Sequence, residues 1–223
     1  MTAIAQNLQR LRSQLLPSVK LVAVSKFHPI PALIQAYEAG QRIFGESRVQ
    51  ELQQKVGEMP ADVEWHFIGH LQPNKVKYIA PYVSLIHAVD TPKLLAEIDK
   101  QGRRVGRRIR CLLQVHVARE ETKFGFLPDE LLEFMRSGQW REHEWAQISG
   151  IMCMATNTDD MQRVSADFEQ AHKLFLQIKR DFFAADEHFR ECSWGMSHDF
   201  EEAMQHGATL VRIGTDIFGE REY

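Results

Sequence analysis

The chain has 223 residues, of which 44% are hydrophobic and 26% charged, with a formal net charge of −3 at pH 7. That balance is wrong for a disordered chain, and a general nucleic-acid binder would carry a basic excess instead. The three cysteines, Cys111, Cys153 and Cys192, lie far apart with no Cys-x-x-Cys pair, so buried free thiols in a reducing cytoplasm are expected rather than a disulfide framework or a zinc site.

Residues 4–16 read as a helix with Ile4, Leu8, Leu11 and Leu15 on one stripe. The first 16 residues also carry Gln, Arg and Asn, unlike the continuous apolar core of a secretory signal. No apolar run reaches the length of a membrane span. Residues 20–25 (KLVAVS) read as a short strand, and 30–39 as a helix begun near Pro29 and Pro31 and stopped by Gly40. A strand at 42–44 precedes a helix at 48–56, and a strand at 64–67 precedes a helix at 74–80. Strand 83–87 leads to a helix that Thr91 can cap and Pro92 can open. Residues 109–117 read as the longest strand, 128–136 as a helix and 146–152 as a strand. The long helix at 158–180 has apolar residues at 161, 164, 168, 171, 175 and 178. Strands at 190–194 and 209–213 flank a helix at 199–206.

Eight short strands alternating with helices imply a parallel sheet, because each crossover needs a helix. The expected class is therefore α/β, a single (β/α)8 TIM-type barrel with an extra N-terminal helix, forming one domain over residues 1–223. An open doubly wound sheet is the alternative. It would more often carry a Gly-rich turn after the first strand, and VSKFHP (24–29) has no glycine.

In such a barrel the chemistry sits where strands end. Lys26 ends an apolar strand, where a partly desolvated amine has a lowered pKa and attacks aldehydes; the plain alternative is a lysine reaching for solvent. Residues 192–197 (CSWGMS) lead into a helix that Ser197 can cap, which would leave N–H groups for an anion. Asp199 in the first turn suits the helix dipole, and a cap without a ligand explains the same residues. Residues 211–215 (VRIGT) put Arg212 at the end of the last strand. Gly214 allows close backbone approach there and Thr215 adds a hydroxyl, although a structural ion pair beside a turn glycine would look alike. An amine, an anion cup and a fixed cation around one mouth are what pyridoxal 5′-phosphate (PLP) requires.

Eight segments carry a family resemblance: LVAVSK (21–26), FGESRVQEL (44–52), WHFIGHLQPNK (65–75), HAVDTPKLL (87–95), TKFGF (122–126), SGIMCMA (149–155), SWGMSHDFEEAMQHG (193–207) and VRIGTDIFGER (211–221). Through them the chain resembles the PLP homeostasis proteins, whose barrel is similar to the N-terminal domain of bacterial alanine racemase. The resemblance implies PLP as cofactor, bound as a Schiff base on Lys26. It puts Ser197, Gly214 and Thr215 at the phosphate and Arg212 at the pyridine nitrogen, with Met196 and Ser47 also in the cofactor site. Three positions depart from the family pattern: Ser47 replaces an Asn, Trp194 a common Met and His116 a frequent Asn. Ser47 is shorter than Asn and has one donor fewer.

A guanidinium keeps its proton, so Arg212 against the ring nitrogen would leave that nitrogen unprotonated and the ring a poor electron sink. Two-base racemisation needs a second acid/base, which the racemase takes from a tyrosine of another domain. Here Tyr37, Tyr78 and Tyr82 fall on or beside expected helices, and Tyr223 is the last residue. A non-catalytic holder of PLP, acting in vitamin B6 and amino-acid homeostasis, is therefore expected. It would be cytoplasmic and monomeric, with PLP-dependent or B6-salvage enzymes as partners and neither nucleic acid nor membrane. The alternatives are a weak PLP-dependent amino-acid racemase and a regulatory module read by a protein partner. The basic run 102–110 reads as a solvated loop at the opposite barrel end. The spacing of His66 and His70 suits a metal only on a helix, and they fall on a strand, so no metal is expected.

Overall fold

The computed structural model describes residues 1–119 and 124–220. Eight parallel strands close into a barrel in chain order: β1 (Lys20–Val24), β2 (Ile43–Glu46), β3 (Glu64–Phe67), β4 (Leu85–Val89), β5 (Ile109–Val115), β6 (Ala146–Cys153), β7 (Glu191–Ser193) and β8 (Leu210–Ile213), with β8 returning to β1. Helix α1 (Ala3–Gln14) precedes the barrel. Then α2 (Ile30–Glu38), α3 (Val49–Val56), α4 (Val76–Ile79), α5 (Pro92–Val105), α6 (Pro128–Ser137), α7 (Met161–Phe182), α8 (Phe200–Gln205) and α9 (Thr215–Phe218) follow their strands. This is the expected (β/α)8 barrel with its additional first helix. Of the segments singled out above, Thr122, Lys123, Arg221 and Tyr223 lie outside the described residues.

Strand alternation divides the buried apolar residues into two bodies. The larger lies between the strands and the helices and includes Ala23, Phe44, Phe67, Leu113, Ile151 and Ile213, packed on helix residues such as Leu33, Leu52, Ile98 and Phe168. The smaller fills the barrel itself with Val22, Leu85, Ala88, Leu112, Met152 and Leu210. Caps fix the helix starts. Thr91 accepts the Leu94 N–H at 3.3 Å for α5, and Asp160 accepts the N–H groups of Gln162 and Arg163 for α7. Cys111, Cys153 and Cys192 are buried and form no disulfide among the described residues, and burial pushes the Cys111 thiol up to about 12. Among the described residues, no helix is long and apolar enough to cross a membrane.

Several boundaries differ from the expectation for identifiable reasons. The longest strand is β6, with eight residues, and not β5, with seven. His116 leaves the β5 ladder because its N–H donates to Phe126 O at 2.9 Å. Strand β4 starts two residues late because the Val83 N–H still bonds back to Ile79 O. Residues 73–75 form a 3-10 turn ahead of α4. The basic run lies at the N-terminal end of β5, as expected, but residues 102–105 belong to the last turn of α5 and not to a loop, Arg103 lies 3.9 Å from Asp99, and two further arginines are held more closely. Arg107 donates to the carbonyls of Ala80 and Val83 at 2.7 and 2.9 Å, and Arg110 pairs with Glu191 at 2.9 Å.

One glycine holds the β5–β6–β7 region in register. Cys111 pairs with Ile148 and Leu112 with Gly150, so Ser149 is an extra residue and β6 bulges there. A Cβ on Gly150 would lie 1.8 Å from the Glu191 carbonyl oxygen on β7. Gly150→Ala is expected to cost about 3 kcal/mol or more, whereas Gly57→Ala, with nothing within 4 Å, should leave stability nearly unchanged. Thermal unfolding of both variants checks this, and equal midpoints would refute the register role.

Candidate functional site

The C-terminal strand ends surround a cavity of about 240 Å³. Lys26, Ser47, Met196, Ser197, Arg212, Gly214 and Thr215 all line it, so every cofactor-site residue expected from the sequence meets the same space. Val24, Ile68, Met154 and His198 complete the wall. The sequence reading missed these four. Val24 was legible as the inward neighbour of Lys26 two residues back, and Ile68 and Met154 as the residues following β3 and β6. A larger hollow of about 540 Å³ opens between α1 and α2, away from the strand ends. The arginine there, Arg12, already donates to Ala39 O and Gln41 Oε1, so we place the chemistry at the smaller cavity.

Alternation along β1 sends Val22, Val24 and Lys26 inward and Ser25 outward. The ladder continues one residue past β1, with the Ser25 N–H donating to Gly45 O at 3.0 Å. The chain then turns sharply, and the His28 N–H donates back to Ser25 O at 3.1 Å. At the turn, Phe27 has φ 68°, the one left-handed non-glycine among the described residues. For a bulky side chain this conformation costs roughly 1–3 kcal/mol and persists only where the surroundings over-determine it. Part of the surroundings is the Arg48 guanidinium, 4.7 Å from the centre of the Phe27 ring.

Arg212 lies within β8, one residue before its end, and is 5% exposed. Its guanidinium donates to Ser193 O at 2.7 Å, to Ser193 Oγ at 2.6 Å and to Cys153 O at 3.0 Å. Three of its five N–H donors are thus spent on the barrel wall, while the residue also lines the cavity. Burial pulls this guanidinium down from its ordinary value, while Cys153 and Asp199 push it up; the group stays charged at any accessible pH.

Ser193 passes the constraint deeper. Its Oγ accepts from Arg212 and also shares a hydrogen bond with His87 Nδ1 at 2.9 Å. His87 Nε2 shares a second with His66 Nδ1 at 2.9 Å, one ring donating and the other accepting. Both rings are buried, and neither takes a role at the mouth. Burial first, then nearby Arg110 and Lys20, drive the His66 pKa down to about 3. Burial first, then His66, Arg212 and Arg110, hold His87 well below its ordinary value. His70 turns elsewhere, to Asp90 at 2.9 Å and onto the Phe124 ring.

The anion cup differs in one respect from the expectation. Ser197 does not cap α8; Asp199 occupies the N-cap position, and its Oδ1 accepts the Met196 N–H at 2.5 Å. The loop closes on itself through that bond, and the N-cap position falls two residues past Ser197. Ser197 instead faces the cavity with Thr215. Among the described residues, the backbone N–H groups of Ser197, Thr215 and Asp216 meet no protein acceptor. A Cβ on Gly214 would lie 3.1 Å from Val24 O and 3.2 Å from Val24 Cβ, so any side chain there would press on the wall beside Lys26. The site thus offers a primary amine, a buried cation, two hydroxyls and free amide donors to one small anionic ligand. The volume is below the roughly 300–1,000 Å³ of drug-sized pockets and suits a one-ring compound.

Comparison with known proteins gives a consistent picture. Residues 1–222 match the alanine racemase N-terminal domain family. The chain is 36% identical over 226 residues to the pyridoxal phosphate homeostasis protein of Pasteurella multocida, covering 99% of this chain and 95% of that protein. The fold is similar to that of PipY from Synechococcus elongatus PCC7942 solved without PLP, with TM-score 0.91 and 38% identity over 97% of this chain and 100% of the other. It is also similar to PipY with PLP bound, with TM-score 0.87 and 37% identity at the same coverage.

The buried histidine pair makes stability depend on acid. Folded, both rings are neutral below their ordinary value of 6.5; unfolded, each takes up a proton there. The unfolded chain then binds more protons, and stability falls as pH drops from 6.5 toward 3. Urea unfolding between about pH 7 and 5.5 should lose up to about 1.4 kcal/mol per pH unit for each histidine. His66→Gln should remove one histidine's share, and a flat wild-type profile would contradict the assignment.

Proposed function

The chain belongs to the pyridoxal phosphate homeostasis protein family, built on the alanine racemase N-terminal barrel, and on that premise we propose that it binds PLP as a Schiff base on Lys26 and holds it without robust turnover. The observation that carries this reading is the convergence of Lys26, Arg212, Ser197 and Thr215 on one cavity of about 240 Å³. Bound PLP supplies an aldehyde that condenses with an amine and a ring that withdraws electrons when its nitrogen is protonated. In the proposed arrangement Lys26 provides the amine. Ser197, Thr215 and the backbone at Gly214 hold the phosphate, Arg212 faces the pyridine nitrogen, and Met196 and Ser47 line the ring.

Arg212 gives the role its direction. Its permanent charge, tied to Ser193 and Cys153, donates hydrogen bonds and yields no proton to the ring nitrogen. The electron sink that most PLP chemistry uses is then weak. A holder of this kind serves vitamin B6 and amino-acid homeostasis in the cytoplasm, as a monomeric single domain that exchanges PLP with PLP-dependent or B6-salvage enzymes.

One observation favours the competing reading, a weak amino-acid racemase. His198 lines the cavity with its side chain 48% exposed and its Nε2 3.4 Å from Asp199 Oδ2, which makes it a candidate second acid/base. Absorbance of the purified protein, beside Lys26→Ala, tests the main proposal. The native chain should show a near-UV or visible Schiff-base band that borohydride abolishes, leaving the reduced cofactor fixed to Lys26 through a C–N bond, and the variant should show neither the band nor the fixed cofactor. A native chain that stays colourless with excess PLP would sink the assignment. Racemisation lost in both Lys26→Ala and His198→Gln would move the chain to the competing class.

A further inference from the structure

The turn that carries Lys26 is held from outside the barrel by a charged cluster that PLP binding, as proposed, does not use. Lys55, in the last turn of α3, brings Nζ to 2.8 Å from Ser25 O, 2.7 Å from Glu46 Oε1 and 2.7 Å from Glu51 Oε1. Glu46 Oε1 also accepts the Ser25 hydroxyl at 2.6 Å. Glu51 Oε1 also accepts the Phe27 backbone N–H at 2.6 Å. The residues before and after Lys26 are therefore tied to one ammonium, Ser25 directly and Phe27 through Glu51.

The cluster is expensive to bury. The Lys55 and Glu46 side chains are 6% and 0% exposed, and that of Glu51 18%. Glu46 Oε2 is buried with no hydrogen-bond partner among the described residues. Buried ion pairs seldom outperform well-packed apolar residues in stability, but they do fix geometry. The geometry fixed here is the left-handed Phe27 turn, whose strain must be held by its neighbours. Neither Glu51 nor Lys55 lines the cavity.

We propose that Glu51 and Lys55 are positioning residues for Lys26: they lock the Ser25–Phe27 backbone so that the Lys26 amine enters the cavity already aimed at an aldehyde held in the anion cup. The inference rests on the reading of Lys26 as the PLP lysine. Condensation there forms one C=N bond and releases one water, with no oxidant or reductant. The clamp acts on that step alone. Binding of the ring and phosphate, which in the proposed arrangement depends on Ser47 after β2, Arg212 in β8 and the residues following β7 and β8, uses neither Glu51 nor Lys55.

The test uses two probes on the full chain. PLP carries the aldehyde; pyridoxine 5′-phosphate has the same ring and phosphate but an alcohol in its place. Glu51→Ala removes the Phe27 partner at a partly exposed position. It should slow formation of the Schiff-base band about tenfold, the equivalent of one charge-assisted hydrogen bond, while pyridoxine 5′-phosphate affinity stays within about twofold. Glu51→Gln keeps an acceptor for the Phe27 N–H and should be only about threefold slow. If Glu51→Ala does not fold, Glu51→Gln carries the test alone, and a wild-type rate in it overturns the proposal. Equal loss of both ligands in Glu51→Ala overturns it too, since that marks general damage to the mouth. A wild-type chain that forms no band with PLP overturns the Lys26 reading and this proposal together. A wild-type chain and Glu51→Ala that form the band equally fast overturn this proposal alone.

Discussion

A permanent positive charge enclosed in a barrel must be answered from the wall, because a guanidinium cannot shed its proton. At Arg212 the answer comes from Ser193 and the Cys153 carbonyl, and that choice propagates. Ser193 Oγ, holding Arg212, also meets His87, and His87 in turn meets His66, so the orientation of both rings is tied to the guanidinium. At the far end Glu191 gathers Arg110 and Thr209, with Lys20 3.7 Å away. Polar side chains thus run along one part of the interior, and Val22, Leu85, Leu112, Met152 and Leu210 fill the rest. The mouth is built on this base. The cation facing the cavity is only as well placed as the serine and carbonyl beneath it.

A second constraint is the two-residue period of a strand. At the end of β1 it separates neighbouring residues into different jobs. Lys26 faces the cavity, while Ser25 faces α3 and the Lys55 ammonium. The same rule on β2 turns Gly45 inward, where its missing side chain leaves room for Val22 and Ile68, and Glu46 outward into the clamp. Chemistry inside the barrel and charge outside it are therefore coupled through backbone only a few residues long.

How much of this could be read from the sequence depended on how local its cause was. The strand–helix alternation and the apolar stripe of α7 are local, and they led directly to the barrel. Lys26 and Arg212 were legible because a charged residue at the end of an apolar strand breaks a visible pattern. Serine caps well, so the sequence points to Ser197 as the cap of α8, yet loop closure through Met196 gives the position to Asp199. The relative lengths of β5 and β6 depend on a bulge at Ser149 that exists only once the sheet closes. His66 and His87 are 21 residues apart and meet only inside the barrel. Four-residue α9 has too few turns to show a period. Lys55 and Glu51 read as an ordinary surface pair on a helix, and nothing in their spacing reports that a strand end lies beneath them.

The filled interior has a consequence for traffic. With the lower barrel occupied by Leu85, Leu112, Met152 and the paired imidazoles, a ligand cannot pass through the molecule. Arrival and departure share one doorway at the C-terminal strand ends, so the two compete. If the chain hands on PLP as proposed, the acceptor has to approach that face. Exchange at such a cavity is sequential by construction, one ligand leaving before the next is taken on.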